Sequence, residues 1–245
     1  MTSPQLPLAI IQLEQPPAPV RDRIGEQARW FIDALALAPH DYQIYRPDTG
    51  EALPEFNTVS GAILSGSWAM VTDHAEWSER TAAWLRAAME QDLPLLGVCY
   101  GHQLMAYALG GEVGDNPRGW ERGALPITLQ PDAQNDVLLQ ALPSSFPVWL
   151  SHRQTVLTPP PGAQALARSA LDECQIIRYG QRALSVQFHP EFDAHIMQAC
   201  LPDGSDFDPQ AQPATDNSRL ILRRFWQSLR LPQFTGAATT TVRSA

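Results

Sequence analysis

Leu95-Leu96-Gly97-Val98-Cys99-Tyr100-Gly101-His102-Gln103-Leu104-Met105-Ala106 is the stretch that decides how the rest of the chain is read. An apolar run breaks at a glycine, presents a cysteine, and restarts as a helix. This is the pattern of a nucleophile elbow, a strand-to-helix turn that holds its central residue in a strained backbone conformation. Glycines two positions before and after that residue leave room for the chain to fold back, and Gly97 and Gly101 stand at those places around Cys99. The helix that follows, with Leu104, Met105 and Leu109 on its apolar side, points its positive end at the sulfur and favours thiolate over thiol.

Upstream of the elbow, Leu6 to Ile11 reads as a first buried strand and Arg23 to Leu37 as an amphipathic helix. Tyr42-Gln43-Ile44-Tyr45 is a second strand, and Gly61-Ala62-Ile63-Leu64 a third, ending in Ser65-Gly66-Ser67-Trp68. A helix from Ser78 to Gln91 leads to Pro94 and the strand before Cys99. Strands alternating with helices in this order predict an α/β fold, a central mostly parallel sheet with helices on both faces. In such sheets the chemistry lies beyond the carboxyl ends of the strands, where both Ser65-Gly66-Ser67 and Cys99 fall. Downstream, Ala124 to Leu129, Val148-Trp149-Leu150, Gln175 to Tyr179 and Ala183 to Phe188 are short strands between Pro/Gly turns, and they predict an added antiparallel portion. Leu201 to Asn217 has turn residues and no period and reads as a surface loop before a last helix near Ser218 to Arg230. One domain is expected over residues 1–232, with a flexible tail over 233–245.

The 245 residues suit one large domain. A hydrophobic fraction of 44% supplies a sizeable core, and no apolar run approaches the roughly 20 residues that cross a bilayer. The start lacks the basic and apolar regions of a signal peptide, and the three cysteines, Cys99, Cys174 and Cys200, are odd in number and scattered. That excludes a disulfide framework and makes the cytoplasm the expected compartment. A formal charge of −9, without clustered basic residues, argues against nucleic-acid or anionic-membrane partners.

A nucleophilic cysteine needs a base. Of the six histidines, His189 stands at the end of the strand Ser185-Val186-Gln187-Phe188, fixed by Pro190. Glu191, two residues on, is placed to accept the other imidazole N–H and to stabilise imidazolium. Cys174 and Cys200 read as small buried hydrophobes. Cys99 and His102 have no second Cys/His pair to complete a metal site, and no metal or cofactor is expected. His102 reads as a residue behind the site or a solvated one; His40, His74 and His195 read as surface or capping residues. Trp68, Trp77, Trp84 and Trp120 read as packing, with Trp68 also a candidate pocket wall.

Three motifs together, Gly97-Val98-Cys99-Tyr100-Gly101-His102-Gln103, Ser185-Val186-Gln187-Phe188-His189-Pro190-Glu191 and Gly61-Ala62-Ile63-Leu64-Ser65-Gly66-Ser67, resemble the class I (triad) glutamine amidotransferase family, nearest to the glutaminase domain of GMP synthase. They fall in family order, and the resemblance covers the chain to about Arg230. It implies a flavodoxin-like fold and a Cys99, His189, Glu191 triad that hydrolyses a γ-glutamyl amide, most simply glutamine to glutamate and ammonia. It further implies oxyanion donors at the backbone N–H groups of Ser67 and Tyr100, and substrate contacts at Gln103, His152 and Arg153. His152 reads equally as an ordinary strand residue. The family's Ser-Gly-Gly-Pro loop is here Ser65-Gly66-Ser67-Trp68, and its Trp-Met-Ser-His-Gly-Asp segment ends here in His152-Arg153-Gln154. Arg153 motivates an alternative, a γ-glutamyl peptidase acting on a larger compound that brings an extra carboxylate. Ser67, and the lack of an acceptor domain after the last helix, motivate another: a chain that works only with an ammonia-accepting partner protein, or a vestigial one.

Overall fold

The computed structural model describes residues 5–201 and 216–231. In chain order its elements are β1 (Leu8–Ile11), α1 (Ala18–Ile24), α2 (Gln27–Leu35), β2 (Tyr42–Tyr45), β3 (Gly61–Leu64), α3 (Glu76–Glu90), β4 (Leu95–Val98), α4 (Tyr100–Ala108) and β5 (Glu112–Asp115). There follow β6 (Glu121–Leu129), β7 (Ser145–His152), β8 (Gln154–Thr158), β9 (Gln164–Arg168), β10 (Ile176–Arg178), β11 (Ala183–Val186), α5 (Ala194–Cys200) and α6 (Asn217–Ser228). Nine strands form one sheet in the order β2-β1-β3-β4-β11-β10-β9-β6-β7, and β5 pairs with β8 in a small second sheet.

From β2 to β11 the pairs are parallel; from β11 through β10, β9 and β6 to β7 they are antiparallel. The expected parallel core and antiparallel extension are both present. The four parallel strands β1, β3, β4 and β11 are buried along their whole length, as strands covered on both faces must be. Alternate residues serve opposite layers. Ile10, Ile63, Leu96, Val98, Leu184 and Val186 pack towards Phe31, Ile221 and Phe225, whereas Ile11, Leu64 and Leu95 pack towards Leu85, Tyr100 and Leu104.

Of the helix expected over residues 23–37, Gln27–Leu35 is α2, while Arg23 and Ile24 end an unexpected helix α1 that begins at Ala18, the two separated at Gly25, whose φ 75° and ψ −157° are open to glycine. Trp30 Nε1 donates to the freed Ile24 carbonyl at 2.8 Å. The strands β5, β8 and β9 and the helix α5 are not expected from the sequence pattern. The loop expected over 201–217 lies outside the described residues from 202 to 215, as does the tail. Asp216 caps α6 by accepting from the Arg219 amide at 2.8 Å.

Candidate active site

Register brings three strand ends together. Gly97 of β4 is opposite Leu64 of β3 and Ser185 of β11, so the segments that follow these strands emerge side by side at one sheet edge. Cys99 follows β4 at φ 52° and ψ −103°, a strained conformation for a residue with a side chain. The two glycines make that turn sterically possible. A Cβ on Gly97 would lie 2.6 Å from the Gly101 carbonyl oxygen, and one on Gly101 would lie 2.6 Å from that of Leu64. The Gly101 amide donates to the Ser65 carbonyl at 3.1 Å and the Cys99 amide to that of Val186 at 2.9 Å, fastening the elbow to both neighbouring strand ends.

The chain beyond β11 carries His189 to the same place, where its backbone amide donates to the Trp149 carbonyl at 2.9 Å. Its Nδ1 is 2.8 Å from Glu191 Oε1, and Cys99 lies close enough to the ring to interact with it. Burial alone would lower the His189 pKa, but the Glu191 carboxylate, and after it the Cys99 sulfur, outweigh burial and hold it well above its ordinary value. Phe192 stacks on the imidazole at 4.0 Å between ring centroids, and Trp30 meets Phe192 edge-on at 5.6 Å. An aromatic face against the imidazole suits its cationic form. The sulfur lies 4.0 Å from the Ser151 carbonyl oxygen of β7.

The loop after β3 closes the third side: a Cβ on Gly66 would be 3.1 Å from His189 Cε1 and 3.7 Å from Cys99 Cβ. Glu14, in the segment after β1, holds this loop. Its Oε2 accepts from the Ser67 hydroxyl at 2.6 Å and from the Trp68 and Ala69 amides at 2.8 and 3.0 Å. Tyr100 is the first residue of α4, so its N–H is among those a helix leaves without an intrahelical acceptor. Its phenol, pushed up to about 12 by burial, bonds Ser78 of α3 at 2.8 Å.

Of the expected substrate contacts, all three line the cavity that contains Cys99, in different states. Gln103 donates through Nε2 to the Gln154 carbonyl at 2.7 Å and to Gln187 Oε1 at 3.0 Å; with both amide protons committed, its oxygen is what remains for a ligand. His152 has Nδ1 at 2.8 Å from the Gln154 carbonyl and Nε2 at 3.0 Å from Glu121, leaving neither nitrogen free. Arg153 is half-exposed and paired with Asp115 at 3.2 Å. Glu121, His152 and Asp172 bring one potential ligand atom each within 4.8 Å of one another. The Gln175 side-chain amide is bonded to two of them, donating to Glu121 at 2.9 Å and to Asp172 at 3.3 Å.

His102 is fully buried, bonded through Nδ1 to Ser185 Oγ at 2.7 Å, and burial, with the neighbouring His152, lowers its pKa to about 3. His40, His74 and His195 are exposed and Cys174 is buried, as expected. Cys200, expected to be buried, is only partly so and lines the cavity at the end of α5. Trp120 is not packed inside as expected: it stands 51% exposed at the rim of the cavity. Sequence reasoning also misses Glu14, Phe192 and Gln27. Gln27 lines the cavity with both ends of its buried amide lacking a protein partner. Only Phe192 carried a sequence signal, its position beside Glu191.

A sheet-edge cysteine on an elbow, faced by a histidine and carboxylate from the neighbouring strand, defines a class of protein, and comparison with known proteins names its family. Residues 24–202 match the family model Glutamine amidotransferase class-I, and the chain belongs to that family. It is 39% identical over 142 residues to the glutamine-hydrolyzing GMP synthase of Aeropyrum pernix, covering 58% of this chain and 25% of that protein. To one of the subunits of the glutamine-hydrolyzing GMP synthase of Ignicoccus hospitalis it is 35% identical over 171 residues, 69% of this chain and 78% of the relative. Gamma-glutamyl peptidase 5 of Arabidopsis thaliana is 24% identical over 220 residues, 86% of this chain and 88% of the relative. Among solved structures, a glutamine amidotransferase from Methylobacillus flagellatus superposes with a TM-score of 0.70 at 27% identity, over 92% of this chain and 95% of its own.

Proposed function

We propose that the protein hydrolyses a γ-glutamyl amide through a Cys99 thioester, with glutamine as the simplest substrate. The observation that carries this reading is the convergence of Cys99, His189 and Glu191, with Glu191 on one imidazole nitrogen at 2.8 Å and Cys99 beside the same ring. Cys99 attacks the side-chain carbonyl, and the negative charge that develops on its oxygen is met by the backbone N–H groups of Ser67 and Tyr100. As the tetrahedral adduct collapses, His189 gives its proton to the departing nitrogen and ammonia leaves. Neutral His189 then takes a proton from water, whose oxygen attacks the thioester. A second oxyanion forms in the same place, glutamate is released, and Cys99 and His189 return to their starting state. Glu191 keeps the imidazole oriented and its cation stabilised throughout. Gln103, through its free oxygen, and Gln27 offer polar contacts to the glutamyl group.

A second reading keeps the chemistry and enlarges the substrate. It is favoured by a cavity of about 320 Å³, within the range that holds drug-sized ligands, and by similarity along nearly the whole length of a protein named as a γ-glutamyl peptidase. The Ignicoccus hospitalis relative, itself one subunit of a GMP synthase, supports an ammonia-accepting partner under the first reading. A vestigial site is disfavoured, because the loop bearing Ser67 is already tied in place by Glu14.

The test is mass spectrometry of the intact protein after 6-diazo-5-oxo-norleucine, with ammonia release from glutamine measured alongside and Cys99→Ala as control. One label at Cys99 and ammonia release are expected, both absent from the variant. A protein that takes no label and releases no ammonia from any γ-glutamyl amide refutes the proposal.

A further inference from the structure

Trp68, 36% exposed, and Trp120, 51% exposed, are the tryptophans left exposed among the described residues. Both line the cavity that holds Cys99. A large aromatic surface left in water at a cavity rim is surface that a ligand can cover. Arg122 lines the same cavity and lies over the Trp120 ring, its guanidinium carbon 4.1 Å from the centroid. Strand geometry explains the pairing. Trp120 immediately precedes β6, whose alternation continues through it: Trp120 and Arg122 are exposed while Glu121 between them is buried against His152 at 3.0 Å.

The location bears on chemistry. Arg122 is directly across the β6–β7 ladder from Ser151, whose carbonyl oxygen lies 4.0 Å from the Cys99 sulfur. Arg153, also on the cavity, is paired with Asp115. Arg122, by contrast, makes no salt bridge to a carboxylate among the described residues, and the charge it presents is held by stacking on the indole. An arginine fork held against an indole is a ready site for an anion, and the two tryptophans offer faces for a ring.

We propose that Trp120, Arg122 and Trp68 form a subsite for the amine half of a γ-glutamyl amide, and that they select an amine carrying both an aromatic ring and a carboxylate. This rests on the thioester reading above. The ring stacks on the indole faces, and the carboxylate meets Arg122. Cys99 forms its thioester with the glutamyl carbonyl, the amide C–N bond breaks, and the amine leaves with the His189 proton in place of ammonia. Water completes the hydrolysis to glutamate.

The experiment measures kcat/KM for four substrates: γ-glutamyl-phenylalanine, γ-glutamyl-phenethylamide, γ-glutamyl-alanine and glutamine. γ-Glutamyl-phenylalanine is expected to exceed γ-glutamyl-alanine, which lacks the ring, and γ-glutamyl-phenethylamide, which lacks the carboxylate, by roughly tenfold each. Trp120→Ala should collapse the first ratio and Arg122→Ala the second; both residues lie at the cavity rim, and a thermal melt checks that each variant is folded. If Cys99 takes the diazo label and glutamine is hydrolysed, but γ-glutamyl-phenylalanine gains nothing over γ-glutamyl-alanine or the ratios survive both substitutions, the subsite is refuted and the thioester reading stands. If Cys99 takes no label and none of the four amides is cleaved, both fall.

Discussion

Replacing Glu14 by alanine should disable turnover while leaving the Cys99 thiol reactive. One carboxylate oxygen accepts from the Ser67 hydroxyl at 2.6 Å and from the Trp68 and Ala69 amides at 2.8 and 3.0 Å. The loop is partly open to water, so each lost bond is replaced in part by solvent, and about 1 kcal/mol apiece is the fitting magnitude. Three bonds give about 3 kcal/mol of loop ordering, or roughly a hundredfold in the population that presents the Ser67 N–H to an oxyanion. Losing one oxyanion donor outright costs about the same or more, roughly 10²–10³ in kcat, so a fall of roughly a hundredfold is expected. Glu14→Gln keeps an acceptor but loses its charge; neutral hydrogen bonds are about half as strong as charge-assisted ones, and the expected fall is near tenfold. The assay pairs steady-state glutamine hydrolysis with the rate of Cys99 alkylation by iodoacetamide, which needs no oxyanion hole. Unchanged kcat in Glu14→Ala would refute the reasoning. So would a parallel loss of alkylation, which would mean that the elbow itself had been disturbed.

Two further outcomes follow from the packing. Gly101→Ala places a methyl group 2.6 Å from the Leu64 carbonyl oxygen; overpacking of about 2 kcal/mol should lower Tm by roughly 4–8 °C, and an unchanged Tm would contradict the close approach of β3 to the elbow. Because burial holds the folded pKa of His102 near 3, the unfolded chain binds the extra proton once the pH drops below about 6.5. Stability is therefore lost as pH falls. Going from pH 7 to pH 5 should cost about 2 kcal/mol from this group, a loss that urea unfolding should show in the wild type and that should be missing from His102→Asn.

The elbow at Cys99 was legible because its requirements are local. An elbow needs glycines at fixed offsets from the cysteine, and Gly97 and Gly101 are there because a Cβ at either would overlap backbone at 2.6 Å. The parallel core was legible for a similar reason: four-residue runs such as Gly61–Leu64 and Leu95–Val98 are buried along their length and leave little else for the chain to be. The rest depends on partners distant in sequence. Glu14 holds a loop 53 residues away, and His152, which the sequence leaves open between pocket lining and an ordinary strand residue, lines the cavity while one of its nitrogens pairs with Glu121, 31 residues back. Trp120 looked like core because tryptophan usually is, and only the fold leaves it at the cavity rim. The single helix expected across Gly25 failed for a local cause: amphipathic period continued through a glycine whose φ of 75° ends the first helix.

The strand that delivers His189 also explains why the interior of this sheet tolerates polar residues. Along β11 and its continuation, Leu184, Val186 and Phe188 pack into one hydrophobic layer, so Ser185 and Gln187 must face the other, towards α4. Both are fully buried, and a buried polar group without a partner is destabilising. Each finds a partner on the first turn of α4: Ser185 Oγ bonds His102 Nδ1 at 2.7 Å, and also Tyr179 at 2.9 Å, while Gln187 Oε1 accepts from Gln103 Nε2 at 3.0 Å, its own Nε2 staying without a protein partner. These bonds fix the helix immediately after Cys99 to the strand that leads to His189. A slip of one residue in β11 would turn Ser185 and Gln187 into the apolar layer and strand His102 and Gln103 opposite leucine and valine. The register that packs the core is therefore the register that sets Cys99 against His189, and the polar pairs penalise a one-residue slip away from it.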